Sequence, residues 1–139
     1  MKKIVNRSIK GFTLLELLVV ISIIGILLAI GAVAFTTAQK KGRDARRRAD
    51  IKSMQSAFEQ YYSQNSGYAT CDTMKSFMSG GVLPIPPKTD ESYSCTYDAV
   101  EDEYCACATL EEDTTGNSSD TTCTAFAAGE AYFCVKNLQ

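Results

Sequence analysis

Six cysteines, one isolated glutamate and a complete lack of histidine set the chemistry open to this chain of 139 residues. Cys71, Cys95, Cys105, Cys107, Cys123 and Cys134 all fall in its C-terminal half. An even number of thiols confined to one stretch suits disulfides and an oxidising compartment. Cys105-Ala106-Cys107 is the competing nucleus of a zinc site. The chain has no Cys-x-x-Cys spacing and no histidine, so disulfides are favoured and no metal is expected. Spacing alone does not choose among the pairings. Without histidine there is also no Ser-His or Cys-His pair, so no catalytic residue is assigned and the chain does not read as an enzyme. The acidic runs Glu101-Asp102-Glu103 and Glu111-Glu112-Asp113 lack the glycine-spaced order of a calcium loop. No cofactor is expected from them, calcium in this region being the one ion they could take.

Glu16 is the other unusual group. It is the only charged residue from Phe12 to Phe35, a run of 24 residues. As a helix rising about 1.5 Å per residue, that run spans the roughly 30 Å hydrocarbon core of a bilayer. A carboxylate in such surroundings is unfavourable unless a cation faces it, so Glu16 calls for a cationic partner inside a membrane or an assembly.

The element that positions Glu16 extends well past the apolar run. No proline precedes Pro84, and residues 36–63 are rich in Ala, Gln, Lys and Arg, which are good helix formers. Ile51, Met54, Phe58 and Tyr61 form one stripe with Ala57 beside it, while Lys52, Gln55, Ser56, Glu59 and Gln60 turn away. The pattern predicts one helix from Phe12 to Ser63, about 78 Å long, apolar all round at first and amphipathic later. Gly25, Gly31 and Gly42 are its weak points. Asn65-Ser66-Gly67-Tyr68 should end it, with Gly67 in the left-handed conformation. Asp72–Ser79 reads as a short helix closed by Gly80, and Pro84, Pro86 and Pro87 force an extended crossing. Tyr93–Tyr97, Tyr104–Leu110 and Ala131–Asn137 alternate as half-buried antiparallel strands. Glu111–Thr122, acidic and rich in Ser and Thr, reads as an exposed loop. The expected class is α+β: one long N-terminal helix packed on a small antiparallel sheet stapled by disulfides.

Charge comes in blocks. Lys2, Lys3, Arg7 and Lys10 precede the apolar run, seven basic residues face two acids between Lys40 and Lys52, and from Ser53 onward 13 acids face three lysines. Cations on both sides of the run mean that the positive-inside rule does not orient it. The cluster Lys40, Lys41, Arg43, Arg46, Arg47 and Arg48 reads first as a solvated helix face, with anionic lipid headgroups as an alternative partner. An acidic C-terminal region argues against nucleic-acid binding by this cluster.

Lys10-Gly11, then Phe12-Thr13-Leu14-Leu15-Glu16, then the apolar run resembles the N-terminal signal of type IV pilins and type II secretion pseudopilins. Tyr61-Tyr62, Asn65, Gly67 and Tyr68 resemble the end of the first helix in that family, so the likeness is specific over residues 7–68 and architectural beyond. Ala69 departs from the family, which often has proline there, and so does the proline-free apolar run. The resemblance implies a pilin fold divided into a leader peptide (1–11), a transmembrane and filament-core half-helix (12–35), an amphipathic half-helix (36–63) and a globular Cys-rich head (64–139). It implies cleavage between Gly11 and Phe12 by a prepilin peptidase, N-methylation of Phe12, and Glu16 as the assembly residue facing the Phe12 amine of a neighbouring subunit. The implied function is that of a structural subunit of a type IV pilus filament, serving adhesion, twitching motility or DNA uptake. Its partners are then further copies of itself, the peptidase, an inner-membrane assembly platform, the membrane before assembly, and a host surface or DNA. Acidic heads of neighbouring subunits become further partners for the basic cluster. The chain would be anchored by a single-pass helix before assembly and sit in an extracellular filament afterwards. The family's disulfide-closed C-terminal loop implies a segment bracketed by Cys123 and Cys134. A pseudopilin of a type II secretion system is the alternative within this family. A rival of another class is a secreted, soluble, disulfide-rich binding domain released by ordinary signal peptidase after Ala32-Val33-Ala34. The length of the apolar run and the charge of Glu16 count against that rival.

Overall fold

A computed structural model describes residues 11–139; the expected leader, as far as Lys10, lies outside the described residues. The chain divides into two compact units, Met1–Thr37 and Ala38–Gln139. Helix α1 (Leu14–Asn65) runs through both and stays helical across Gly25, Gly31 and Gly42 despite a local cost of about 1 kcal/mol per glycine. In the first unit every described residue is exposed, including Phe12, Leu14, Leu15 and the Val, Ile and Leu residues that follow. The stretch is long and apolar enough to cross a membrane.

The second unit is built on an antiparallel sheet of three strands, in the order β1 (Ser94–Asp98), β2 (Glu103–Thr109), β3 (Tyr132–Lys136). Alternation sends Tyr104, Ala106 and Ala108 of β2 to one face, where they meet Ile51, Met54 and Phe58 from the apolar stripe of α1. The two alanines leave room for the larger helix side chains, and the ring of Tyr104 stands edge-on to Phe58 with centroids 5.0 Å apart. Tyr61, the last member of the stripe, is only half-buried and packs on Phe77. These features make an α+β pilin fold.

β2 is buried on both faces, not one. Its odd-numbered residues Cys105 and Cys107 face away from α1 and are covered by the segment expected to be an exposed loop. Within Glu111–Thr122, Gly116 and Ser118 are buried and bridge to Glu130 and Tyr132, so this segment pairs back onto the β3 side of the sheet. The Gly116 N–H donates to the Glu130 carbonyl at 2.7 Å, and a Cβ on Gly116 would collide with the backbone carbonyl of Tyr132. Residues 113–115, 119, 120 and 122 are exposed, as the polar composition implies, while backbone pairing through Gly116 and Ser118 holds the segment to the sheet.

Two helix boundaries also differ from expectation. The left-handed residue after α1 is Ser66, with φ 56°, and not Gly67. Gly67 instead lies against the carboxylate of Asp102, whose Oδ1 accepts the Tyr68 N–H at 2.9 Å. Asp72–Ser79 is not one helix but α2 (Cys71–Met74) followed by 3-10 turns at Lys75–Phe77 and Ser79–Gly81, because Met78 is extended.

All six cysteines are paired, as Cys71–Cys95, Cys105–Cys123 and Cys107–Cys134. The expected bracket of Cys123 and Cys134 is therefore not a disulfide. Strand register sets Cys134 directly opposite Cys107, and Cys123 reaches Cys105 from the covering segment.

Candidate functional site

The N-terminal segment begins with Gly11, Phe12 and Thr13 ahead of the first helical turn. The Thr13 hydroxyl accepts the Glu16 N–H at 3.2 Å, and Glu16 Oε2 accepts both the Thr13 N–H and its hydroxyl proton at 2.9 Å. This reciprocal pair is a capping box, which satisfies donors that a helix start otherwise leaves open and puts negative charge at the positive end of the helix dipole. Its sequence signal is a threonine followed three residues later by glutamate at the head of an apolar run. The carboxylate thus already has local work at Oε2. Phe12, at the expected cleavage point, is 87% exposed.

In the second unit the basic cluster is divided: Lys40, Lys41 and Arg46 are exposed as a solvated face would be, Arg43 and Arg48 are half-buried, and Arg47 is buried. The Arg47 side chain is 1% exposed and donates from Nη1 to Asp44 at 2.7 Å and to Glu111 at 3.0 Å, and from Nε and Nη2 to Glu91. Arg43 Nη2 reaches Glu111 at 2.7 Å, and Lys88 Nζ lies 3.2 Å from the same carboxylate. Asp44 turns its two oxygens to the backbone N–H groups of Glu111 and Glu112 at 2.9 and 3.0 Å. The helix is fastened in this way to the segments carrying Glu91 and Glu111. Hydrogen bonds from Arg43, opposed by burial and reinforced by Arg47 and Lys88, hold the Glu111 carboxyl far below its ordinary range. Burial alone would lower Arg47, but its bonds to Glu91, Glu111 and Asp44 raise it instead. Arg48 donates to the Thr115 carbonyl at 2.6 Å and stacks over Phe133. Arg46 keeps to solvent.

Further acids have partners of their own. Glu59, expected to turn outward, accepts from the hydroxyls of Tyr68 and Tyr104 and from the Leu138 N–H, tying the C-terminal end to α1. Burial together with Glu59 pushes both phenols well above their ordinary range. With Glu111 held by three cations and Asp102 engaged by Tyr68, each run proposed for calcium has an acid already committed.

Residues 6–32, which include the capping box and the lone Glu16, match the family model described as the prokaryotic N-terminal methylation motif. This motif, with the likeness to curated type IV pilins, supports the type IV pilin family. Over 64 residues the chain is 33% identical to the type IV major pilin protein PilA of Myxococcus xanthus, covering 46% of this chain and 29% of that one. Over 72 residues it is 39% identical to the type IV narrow pilus major component PilA5 of Thermus thermophilus, covering 52% of this chain and 62% of that one. The matches therefore span less than two thirds of either relative. No solved structure matches this chain.

Proposed function

We propose that this chain is a pilin, a structural subunit of a type IV pilus, cut between Gly11 and Phe12, methylated on the Phe12 amine, and assembled through the first half of α1. The observation that carries this reading is a fully exposed apolar helix surface whose only charge, Glu16, sits at its N-terminal end within the methylation motif. A bare apolar surface of this extent requires a lipid or protein covering. Lipid supplies it while the single helix anchors the subunit, and neighbouring helices supply it in an extracellular filament. Glu16 Oε2 caps its own helix, which leaves Oε1 to face the Phe12 ammonium of an adjacent subunit. Pairing makes both charges tolerable in an apolar core.

Intact mass and N-terminal sequencing of sheared surface material test the processing step. The expected mature chain begins at a methylated Phe12. A chain beginning at Phe35 would establish the secreted soluble rival, and one retaining its leader would remove the amine on which assembly depends.

A further inference from the structure

Two of the disulfides share one buried cluster. Cys105 and Cys107 lie two residues apart on β2 with side chains on one face, and Cys134 of β3 stands opposite Cys107 on that same face. Cys123 reaches over from the covering segment. All four residues are at least nine-tenths buried, and their Sγ atoms lie within 4.8 Å of one another. Between the two bonds, Cys105 Sγ is 3.5 Å from Cys107 Sγ, which is 3.9 Å from Cys123 Sγ.

We propose that, when these two disulfides are reduced, the four cysteines form a tetrathiolate site for one zinc-class divalent cation. A tetrahedral zinc ion holds sulfurs at about 2.3 Å, which sets the sulfurs about 3.8 Å from each other. Two of the inter-bond separations already have that value to within a few tenths of an ångström. The bonded pairs occupy opposite edges of the same tetrahedron, and side-chain rotation spreads them once the bonds open. Three ligands come from adjacent positions of a sheet whose register fixes them, and one comes from a loop that can close. Rigid elements plus one adaptable ligand make a well-placed metal site.

Charge supports a cation there. The backbone carbonyls of Thr121, Asp120 and Val135 lie 3.3–3.4 Å from Cys105, Cys134 and Cys123 Sγ respectively. They accept from thiols and disfavour bare thiolates, so the reduced empty site holds its protons and a cation must displace them. Lys136 sits opposite Cys105 in the ladder, on the cysteine face, where its charge offsets the excess negative charge of a tetrathiolate complex. Soft sulfur donors select zinc, cadmium or cobalt over calcium or magnesium. The disulfides and the metal use the same sulfurs, so each state excludes the other. Cys71–Cys95 lies outside the cluster and serves as the internal control.

The test uses the full chain in detergent micelles, reduced without oxygen by a phosphine. Each disulfide then gains two electrons and two protons while the phosphine becomes its oxide with oxygen from water. Added cobalt(II) should bind as one equivalent with the visible spectrum of a tetrahedral tetrathiolate, release protons, and be displaced by zinc. The oxidised chain should bind none. Cys71→Ser with Cys95→Ser should keep the spectrum, while Cys107→Ser and, separately, Cys123→Ser should lose it. Near-ultraviolet circular dichroism of the tyrosines, taken on each reduced variant, reports whether the head is still ordered. The proposal is overturned if reduced wild-type chain gives no tetrahedral spectrum, if urea-denatured chain gives the same spectrum with the same affinity, or if an ordered Cys107→Ser or Cys123→Ser variant binds as wild type does.

Discussion

Replacing Arg47 by methionine tests the ion cluster most directly. Methionine keeps most of the apolar stem but withdraws the charge from a side chain that is 1% exposed. The three carboxylates it serves do not suffer equally. Glu111 keeps Arg43 and Lys88, and Glu91 keeps Lys88 at 3.7 Å and is partly solvated. Asp44, with a side chain 5% exposed, loses its cation and retains only two backbone N–H donors. Removing one partner of a buried pair costs about 3–5 kcal/mol, and the donors left to Asp44 put this case near the lower end, at about 3 kcal/mol. For a unit of this size each kcal/mol lowers the melting temperature by about 4–8 °C, so a fall of at least about 12 °C is expected. Thermal unfolding followed by tyrosine circular dichroism, with disulfides intact, measures it. Adding Asp44→Asn should restore part of the loss, because the orphaned charge is then gone. A fall worth less than about 1 kcal/mol, the range of exposed salt bridges, would refute the claim that this cluster fastens the helix to the head.

Other outcomes follow from the same contacts. Glu111 has a depressed folded-state pKa, so it contributes stability above its unfolded value near 4.5 and loses that contribution as the pH falls through its lower folded value; denaturant midpoints should therefore drop below about pH 4.5, and less so in Glu111→Gln. Glu16→Gln retains an acceptor for the Thr13 capping bonds but not the charge, whereas Glu16→Ala loses both. If charge pairing drives assembly, filament yield on sheared surfaces should fall at least about tenfold in both variants while the processed subunit accumulates in the membrane. Near-normal yield from Glu16→Gln would assign Glu16 to helix capping alone. Gly116→Ala forces a methyl group into the Tyr132 carbonyl, so it should destabilise the head by about 1–3 kcal/mol and expose the 110–131 segment to limited proteolysis.

What could be read from the sequence was local. The apolar run, the stripe Ile51-Met54-Phe58 and the three strands each declare themselves within a few residues through period or composition. The ion cluster does not, since Arg47 and Glu111 stand 64 residues apart and each looks like an ordinary surface charge. The same holds for Glu59, whose partners Tyr104 and Leu138 are 45 and 79 residues away. Disulfide pairing depended on strand register, which fixes Cys107 against Cys134 but leaves no mark in the cysteine spacing. At the end of α1, the glycine preference for a left-handed residue pointed to Gly67. There Ser66 made the turn instead, and a Cβ at Gly67 would meet the Asp102 carboxylate only in ordinary contact.

The disulfide connectivity also determines how the head answers a pull. Along the backbone, Cys71 and Cys134 are 63 residues apart, a contour of about 220 Å when taut. The shortest covalent path crosses from Cys71 to Cys95, follows 12 residues to Cys107 and crosses again to Cys134. That path measures about 40 Å plus the two crosslinks. A load applied between the helix and the C-terminal end can therefore draw out only the short stretches between the crosslinks, because most of the head is withheld as covalent loops. Even with every hydrogen bond and ion pair broken, an oxidised head behaves as a short, nearly inextensible link, whereas a reduced one pays out like slack rope.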